Sequence, residues 1–160
     1  MPGLAAQCPK DESIGLKDDL AISLVDHLFG SDDVEEMISL CDIVVMAAPA
    51  TKETENMFNK KIFSSMRKGT IFINIARGSH VVEEDLISAL NSGHLRAAIL
   101  DVVRNEPLPI EDPLWGAPNL YLSPHCSVSF DSYEENAVAL IADNALRLLR
   151  GAELKNLVTC

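Results

Sequence analysis

Three times in succession the chain places a short amphipathic segment before a run of apolar residues, and this alternation limits the fold more than any other feature of the sequence. In the first unit Asp32 and Glu35 have the spacing of an N-terminal capping pair, and Val34, Met37, Ile38 and Cys41 fall on one helical face. Residues 42–47, DIVVMA, then read as a buried strand that ends at Pro49. The second unit has a short helix over 60–66, with Ile62, Phe63 and Met66 on one side. After the Lys68-Gly69 turn comes a strand over 70–75, TIFINI, apolar enough to be covered on both faces. In the third, residues 83–91 begin with acidic side chains, place Leu86, Ile87 and Leu90 at helical spacing and stop at Gly93, before a strand over 97–102. A fourth strand is expected at 119–123, and a closing helix over about 131–150 turns Ala137, Leu140, Ile141, Ala145 and Leu148 inward and stops at Gly151. Helices alternating with apolar strands require right-handed crossovers and a parallel sheet with helices on its faces. The expected class is α/β.

With 160 residues, 48% of them apolar, the chain suits one domain with a real core. The first thirty residues are punctuated by Pro2, Gly3, Pro9 and Gly15, and only 20–25, LAISLV, has the composition of an edge strand. The organisation expected is therefore a poorly defined segment over 1–30 and one α/β unit over 31–160. No stretch approaches eighteen uninterrupted apolar residues, and the N-terminus lacks the pattern of a signal peptide, which gives the expectation of a soluble, cytoplasmic protein. Cys8, Cys41, Cys126 and Cys160 are scattered, with no metal-site or disulfide spacing, and read as free thiols. A net charge of −11 repels phosphate backbones, so nucleic acid is discounted as a partner.

In open parallel sheets ligands bind beyond the carboxyl ends of the strands, and here those ends carry polar residues of complementary chemistry. Arg77 follows the second strand, Asp101 closes the third with Glu106 just beyond it, and His125 follows the fourth in SPHCS. An arginine offers a planar fork to a carboxylate, and a histidine passes protons near neutral pH while a neighbouring carboxylate fixes its tautomer. Each has a plainer reading alone: Arg77 as a surface charge, Glu106 as a loop charge before Pro107, His125 as a helix cap. Three such residues at three successive strand ends make a site the stronger reading. His27, His80 and His94 have no comparable placement and read as solvated. Cys126 points away from its neighbour His125 on an extended segment, which argues against a nucleophile pair.

The motifs N-x-A-R-G at 74–78, D-V-x-x-x-E-P at 101–107 and P-H at 124–125, with DPLW at 112–115, closely resemble the cofactor-domain half of the NAD(P)-dependent D-2-hydroxyacid dehydrogenases, the family of phosphoglycerate dehydrogenase and the glyoxylate or hydroxypyruvate reductases. The likeness runs over about residues 26–158. It implies a partial Rossmann-type doubly wound sheet that lacks the first βαβ unit. It also implies an oxidoreductase moving hydride between NAD or NADP and a small 2-oxo or 2-hydroxy acid. By the same resemblance Arg77 binds the carboxylate of the oxo acid, Glu106 pairs with His125, and His125 donates the proton to the carbonyl. The cofactor contacts implied are Ala48 and Pro49 on the adenosine side, Ala76 and Arg77, Asp101 at the nicotinamide carboxamide, and His125; no metal is implied.

Two departures stand out. Cys126, Ser127, Val128 and Ser129 replace the small, glycine-rich turn that follows the family's P-H. None of the eight glycines lies two residues from another, so the G-x-G-x-x-G that receives the pyrophosphate at a helix N-terminus is missing, and with it the acidic residue that reads the ribose. The chain therefore looks like the second half of a dehydrogenase, with weakened cofactor binding. An uncovered edge at 43–47 would invite pairing, giving the expectation that 20–25 covers it or that the protein forms a homo-oligomer there. The competing reading is a non-catalytic truncated α/β module that self-associates or pairs with a full-length relative. Trp115 either shapes a pocket for a small substrate or packs against the closing helix.

Overall fold

The computed structural model describes residues 4–7, 26–127 and 133–156. It falls into two compact units, 1–125 and 126–160, each taken by itself below. In the first unit β1 (Leu4–Gln7) and β2 (His27–Gly30) form a two-stranded parallel sheet, with Leu4 opposite His27 and Gln7 opposite Gly30. A 3₁₀ turn (Ser31–Asp33) leads into α1 (Val34–Ser39), and there follow β3 (Ile43–Met46), α2 (Lys60–Ser65), β4 (Thr70–Asn74), α3 (Glu83–Asn91), β5 (Leu95–Leu100) and β6 (Leu120–Leu122). The last four strands make an all-parallel sheet in the order β3-β4-β5-β6. This is the parallel α/β sheet expected from the alternation of elements, and it accords with the partial Rossmann-type architecture that the family resemblance implies.

Register explains which residues form the core. Val44, Phe72, Ala98 and Leu120 align across the sheet, as do Met46, Asn74, Leu100 and Leu122, and all of these but Leu120 and Leu122 are buried. Ile38 of α1, Phe63 of α2, and Leu86 and Leu90 of α3 pack on this face. Phe58, Phe63 and Phe72 meet at its centre with ring centroids 4.6–6.0 Å apart. Helix α2 starts where Asn59 Oδ1 accepts from the backbone N–H groups of Lys61 and Ile62, at 3.0 and 3.3 Å. Helix α3 keeps the expected bounds, and Gly93, at φ +66°, makes the left-handed turn that ends it.

Several expectations need correcting. The run 70–75 is not covered on both faces: Ile71 and Ile73 are half-buried, Ile75 is exposed, and the aligned Val45 on β3 is 53% exposed. The strand expected at 97–102 begins two residues earlier, because Leu95 is already buried opposite Thr70 directly after the Gly93 turn. The Asp32–Glu35 capping pair does not form. Asp33 is the N-cap of α1 and makes no side-chain cap bond, while Glu35 is drawn across to Lys61 and Ser65 of α2. His27 is exposed as expected, but His80 is fully buried and His94 is half-buried, its Nε2 near the carbonyls of Phe63 and Met66.

The second unit contains α4 (Tyr133–Leu149), which ends before Gly151 at φ +63°. Asp143 pairs with Arg147 and Lys155, and Asn144 exchanges hydrogen bonds with the Lys155 backbone, folding the tail back on the last turns. The inward face expected here is not buried: Ala137 and Leu140 are half-buried, Ala145 is exposed, and Ile141 and Leu148 are 69% and 70% exposed. Strand β3 is an edge of its four-stranded sheet, and the segment 20–25 expected to cover it lies outside the described residues. Among the described residues, no helix is long and apolar enough to cross a membrane.

Candidate functional site

Because β4, β5 and β6 run parallel with Asn74, Leu100 and Leu122 in register, the segments that leave them emerge at one rim. Backbone hydrogen bonds continue the sheet one step further. Asp101 N donates to Asn74 O at 3.0 Å, Ser123 N to Leu100 O at 3.0 Å, and His125 N to Asp101 O at 2.9 Å. The last of these bonds bends the chain so that His125 takes φ +54°, a conformation a histidine holds only with support around it. Part of that support is its own side chain. His125 Nδ1 lies 2.7 Å from Glu106 Oε2, and Glu106 Oε1 accepts from Val103 N at 3.1 Å.

That arrangement decides the chemistry of both groups. An ionised carboxylate can only accept, so the proton between them sits on Nδ1, and Nε2 is left for other partners. The hydrogen bond from His125 holds the Glu106 carboxyl below the usual carboxylate range, helped by the Val103 N–H and by the charges of His125 and Arg77, against a smaller opposing effect of burial. A lowered pKa means that the carboxylate contact is complete above the ordinary carboxylate range. It is lost only as the pH falls through the lowered value, so the pair is intact at neutral pH.

Beside the pair lies a cavity of about 630 Å³, whose lining includes Asp101, Glu106 and His125 together with apolar Pro107, Leu108, Trp115 and Leu122. Asp101 is buried, and its Oδ1 accepts from Ser123 Oγ at 2.6 Å. Trp115 donates from Nε1 to Pro109 O at 2.8 Å, which fixes the indole at the rim although its surface is largely exposed; among the described residues it packs as a wall of the cavity. A site of this make-up, apolar with a few convergent polar groups, suits a small organic ligand.

Arg77 leaves β4 at the same rim but does not line this cavity; its Nη1 donates to Ala76 O at 2.6 Å. The turn that carries it is tightly held. Asn74 Oδ1 accepts from Ala76 N at 3.0 Å, and Asn74 Nδ2 donates to Arg77 O at 2.9 Å. Ala76 is buried, whereas Ala48 and Pro49, in the loop after β3, are exposed. Gly78 follows Arg77 and lies against the loop after β5, where a Cβ would sit 2.0 Å from Val103 C. Asp101, Glu106 and His125 thus come together, Arg77 stands at the same rim turned to its own backbone, and Ala48-Pro49 ends the neighbouring strand.

Asn74 and Ser123 join the site without having been expected there. Asn74 is the first residue of N-x-A-R-G, and a buried asparagine at a strand end is a signal that a turn is being fastened there. Ser123 carried no signal beyond its place before P-H.

Residues 18–127 match the family model for the D-isomer specific 2-hydroxyacid dehydrogenase, NAD binding domain. The chain is 38% identical over 127 residues to glyoxylate/hydroxypyruvate reductase A of an Enterobacter species and equally so to that of Klebsiella pneumoniae. These alignments cover 79% of the chain but only 40% of each relative, so the chain spans about two fifths of the length of the curated relatives it matches. Among solved structures, a D-isomer specific 2-hydroxyacid dehydrogenase from Xanthobacter autotrophicus in complex with NADPH and MES superposes with a TM-score of 0.79 at 29% identity, covering 99% of this chain and 71% of that one. An NADPH-dependent glyoxylate/hydroxypyruvate reductase from Sinorhizobium meliloti in complex with NADP and sulfate also gives 0.79, at 25% identity, covering 98% and 55%.

Proposed function

The chain belongs to the D-isomer specific 2-hydroxyacid dehydrogenase family, and from that premise we propose that it carries the reacting half of an oxidoreductase acting on a small 2-oxo acid of the glyoxylate or hydroxypyruvate kind, with NADPH or NADH as cofactor. The observation that carries the reading is the Glu106–His125 pair, set beside an apolar cavity at the ends of β5 and β6. In the reducing direction protonated His125 donates from Nε2 to the carbonyl oxygen, while Glu106 keeps the Nδ1 proton in place and stabilises the charged ring. Arg77 turns its guanidinium from Ala76 O to the substrate carboxylate, a bidentate match that orients the carbonyl toward His125. NADPH or NADH, when bound, supplies the hydride. Asp101, Ala76 and His125 would hold the nicotinamide end, and Ala48 and Pro49 would lie along the adenosine.

The fit to that cofactor differs along its length. Buried Asp101 and the neighbouring cavity suit the uncharged, amide-bearing end. For the pyrophosphate the chain has no G-x-G-x-x-G, and its net charge of −11 opposes a polyanion. Each missing charge-assisted hydrogen bond weakens binding by about 1.5–3 kcal/mol, so losing two of them costs roughly 10²–10⁴-fold in affinity. Residues 31–160 are accordingly read as the C-terminal part of a nucleotide-binding domain, preceded by a poorly defined segment over 1–30. A cytoplasmic location, no nucleic-acid or membrane partner, and a homo-oligomer paired through the β3 edge complete the proposal. The missing glycine motif also favours a second reading, a non-catalytic α/β module that associates with a full-length relative.

The test is cofactor oxidation by the purified chain at millimolar NADPH or NADH with glyoxylate or hydroxypyruvate. Turnover that saturates in the oxo acid is expected. Equal background rates with and without oxo acid would favour the second reading.

A further inference from the structure

His80 is the one fully buried histidine among the described residues, and the reaction proposed above does not use it. Its ring lies between two loops of the site. Nδ1 is 2.9 Å from Arg77 O, and Nε2 is 3.3 Å from Pro49 O. The backbone around it is pinned: His80 N donates to Arg77 O at 3.3 Å, and Phe58 N donates to His80 O at 2.9 Å. Asn56 N and Val82 N extend that ladder to Ser79 O and Phe58 O. The imidazole therefore has a fixed base, and its two nitrogens reach segments that come from different strands. Arg77 O is also held by Asn74 Nδ2, and Pro49 O by Thr54 Oγ1, so each segment is anchored on its own and His80 is the side chain that touches both.

We propose that His80 is a positioning residue that couples the loop after β3 to the Arg77 turn, so that the cofactor side and the oxo-acid side of the site keep a fixed spacing. A neutral ring donates through one nitrogen at a time, to Arg77 or to Pro49 according to its tautomer, and a protonated ring donates to both. In every state the buried ring fills the gap between the two loops. The functional part of this inference rests on the roles proposed for Pro49 and Arg77; the structural coupling does not.

Two amide variants separate the contacts. An asparagine nitrogen can take the place of Nδ1 and keep the bond to Arg77 O, whereas a glutamine nitrogen can reach toward the place of Nε2 and keep the bond to Pro49 O. In ¹⁵N-correlated spectra of the 160-residue chain, His80→Asn is expected to move the amide signals of Ala48 and Ala50 and leave Gly78 near its wild-type position. His80→Gln is expected to do the reverse. In assays with oxo acid and NADPH, His80→Asn should raise KM for the cofactor by about tenfold or less, and His80→Gln should raise KM for the oxo acid by a similar factor, the range expected for loss of one hydrogen bond. A folded His80→Asn variant that leaves the Ala48 and Ala50 signals in place, or two variants that disturb both loops equally, would overturn the coupling. If the wild-type chain shows no turnover but the spectra divide as described, the coupling stands and the proposed function fails.

Discussion

Replacing His125 by alanine is expected to lower kcat/KM for the oxo acid by about 10²–10⁴-fold, the usual contribution of a positioned general acid. That corresponds to roughly 3–5 kcal/mol of transition-state stabilisation. The expectation rests on the 2.7 Å contact to Glu106, which commits Nδ1 and leaves Nε2 as the ring's proton donor. Glu106→Gln tests the same assignment from the other side. It removes the charge that stabilises the imidazolium, and its amide can turn to donate to Nδ1 and select the wrong tautomer, so kcat should fall while the fold is kept. Both side chains are part-exposed at the rim, and Glu106→Gln, whose amide can still meet Nδ1, should not move the midpoint of urea unfolding by much. A His125→Ala variant with wild-type turnover would remove the proton donor from the account.

The second large effect is on stability. Gly78→Ala would place a methyl carbon 2.0 Å from Val103 C, 2.1 Å from Val103 O and 2.4 Å from Arg104 N, all of them backbone atoms. A flexible side chain could swing away from such a contact; two backbone segments can only separate. Overpacking in a well-packed region costs about 1–3 kcal/mol and occasionally more, and the depth of this overlap puts Gly78→Ala at the upper end. Arg77 precedes this glycine, and Val103, across the contact, holds Glu106. The variant should therefore lose activity along with stability. Urea unfolding checks the claim, with Gly116→Ala as the control: no atom lies within 4 Å of a Cβ at Gly116, and its unfolding free energy should stay within about 0.5 kcal/mol of wild type.

The same glycine shows what the sequence could and could not disclose. Its place in N-x-A-R-G marked it, but the need for it comes from a backbone twenty-five residues away that no local pattern reveals. Helix α3 was legible to the residue because its start and stop signals, Glu83 to Asp85 and Gly93, are local. Strand β4 was legible too, because Phe72 and its neighbours form an unbroken apolar run. The cover over that run was not: apolar composition alone cannot tell a strand packed on both faces from one packed on a single face, and Val45 and Ile75 turn out exposed. The pairing of β1 with β2 escaped because HLFG and LAAQ are too short to show periodicity and depend on each other. The three-residue spacing of Asp32 and Glu35 fits a capping pair, yet Lys61 of α2 competes for Glu35 in the folded chain. His80 reads as polar among loop residues, and only the fold shows Pro49 closing over it. At the site the motifs point to Glu106, His125 and Asp101, whereas the contact of Arg77 Nη1 with Ala76 O is a side-chain orientation that no motif encodes.

The reading of this chain as the reacting half of a 2-hydroxyacid dehydrogenase depends most on whether it still receives the nicotinamide cofactor without the glycine-rich loop. A calorimetric titration of NADPH into the purified 160-residue chain measures this directly. Saturable heat with a Kd of about 1 mM or tighter is expected, some 4 kcal/mol of binding contributed by the nicotinamide end and the loop after β3. No saturable heat at several times that concentration would contradict it, and would leave a folded α/β module that keeps Arg77, Glu106 and His125 without the cofactor they are proposed to serve.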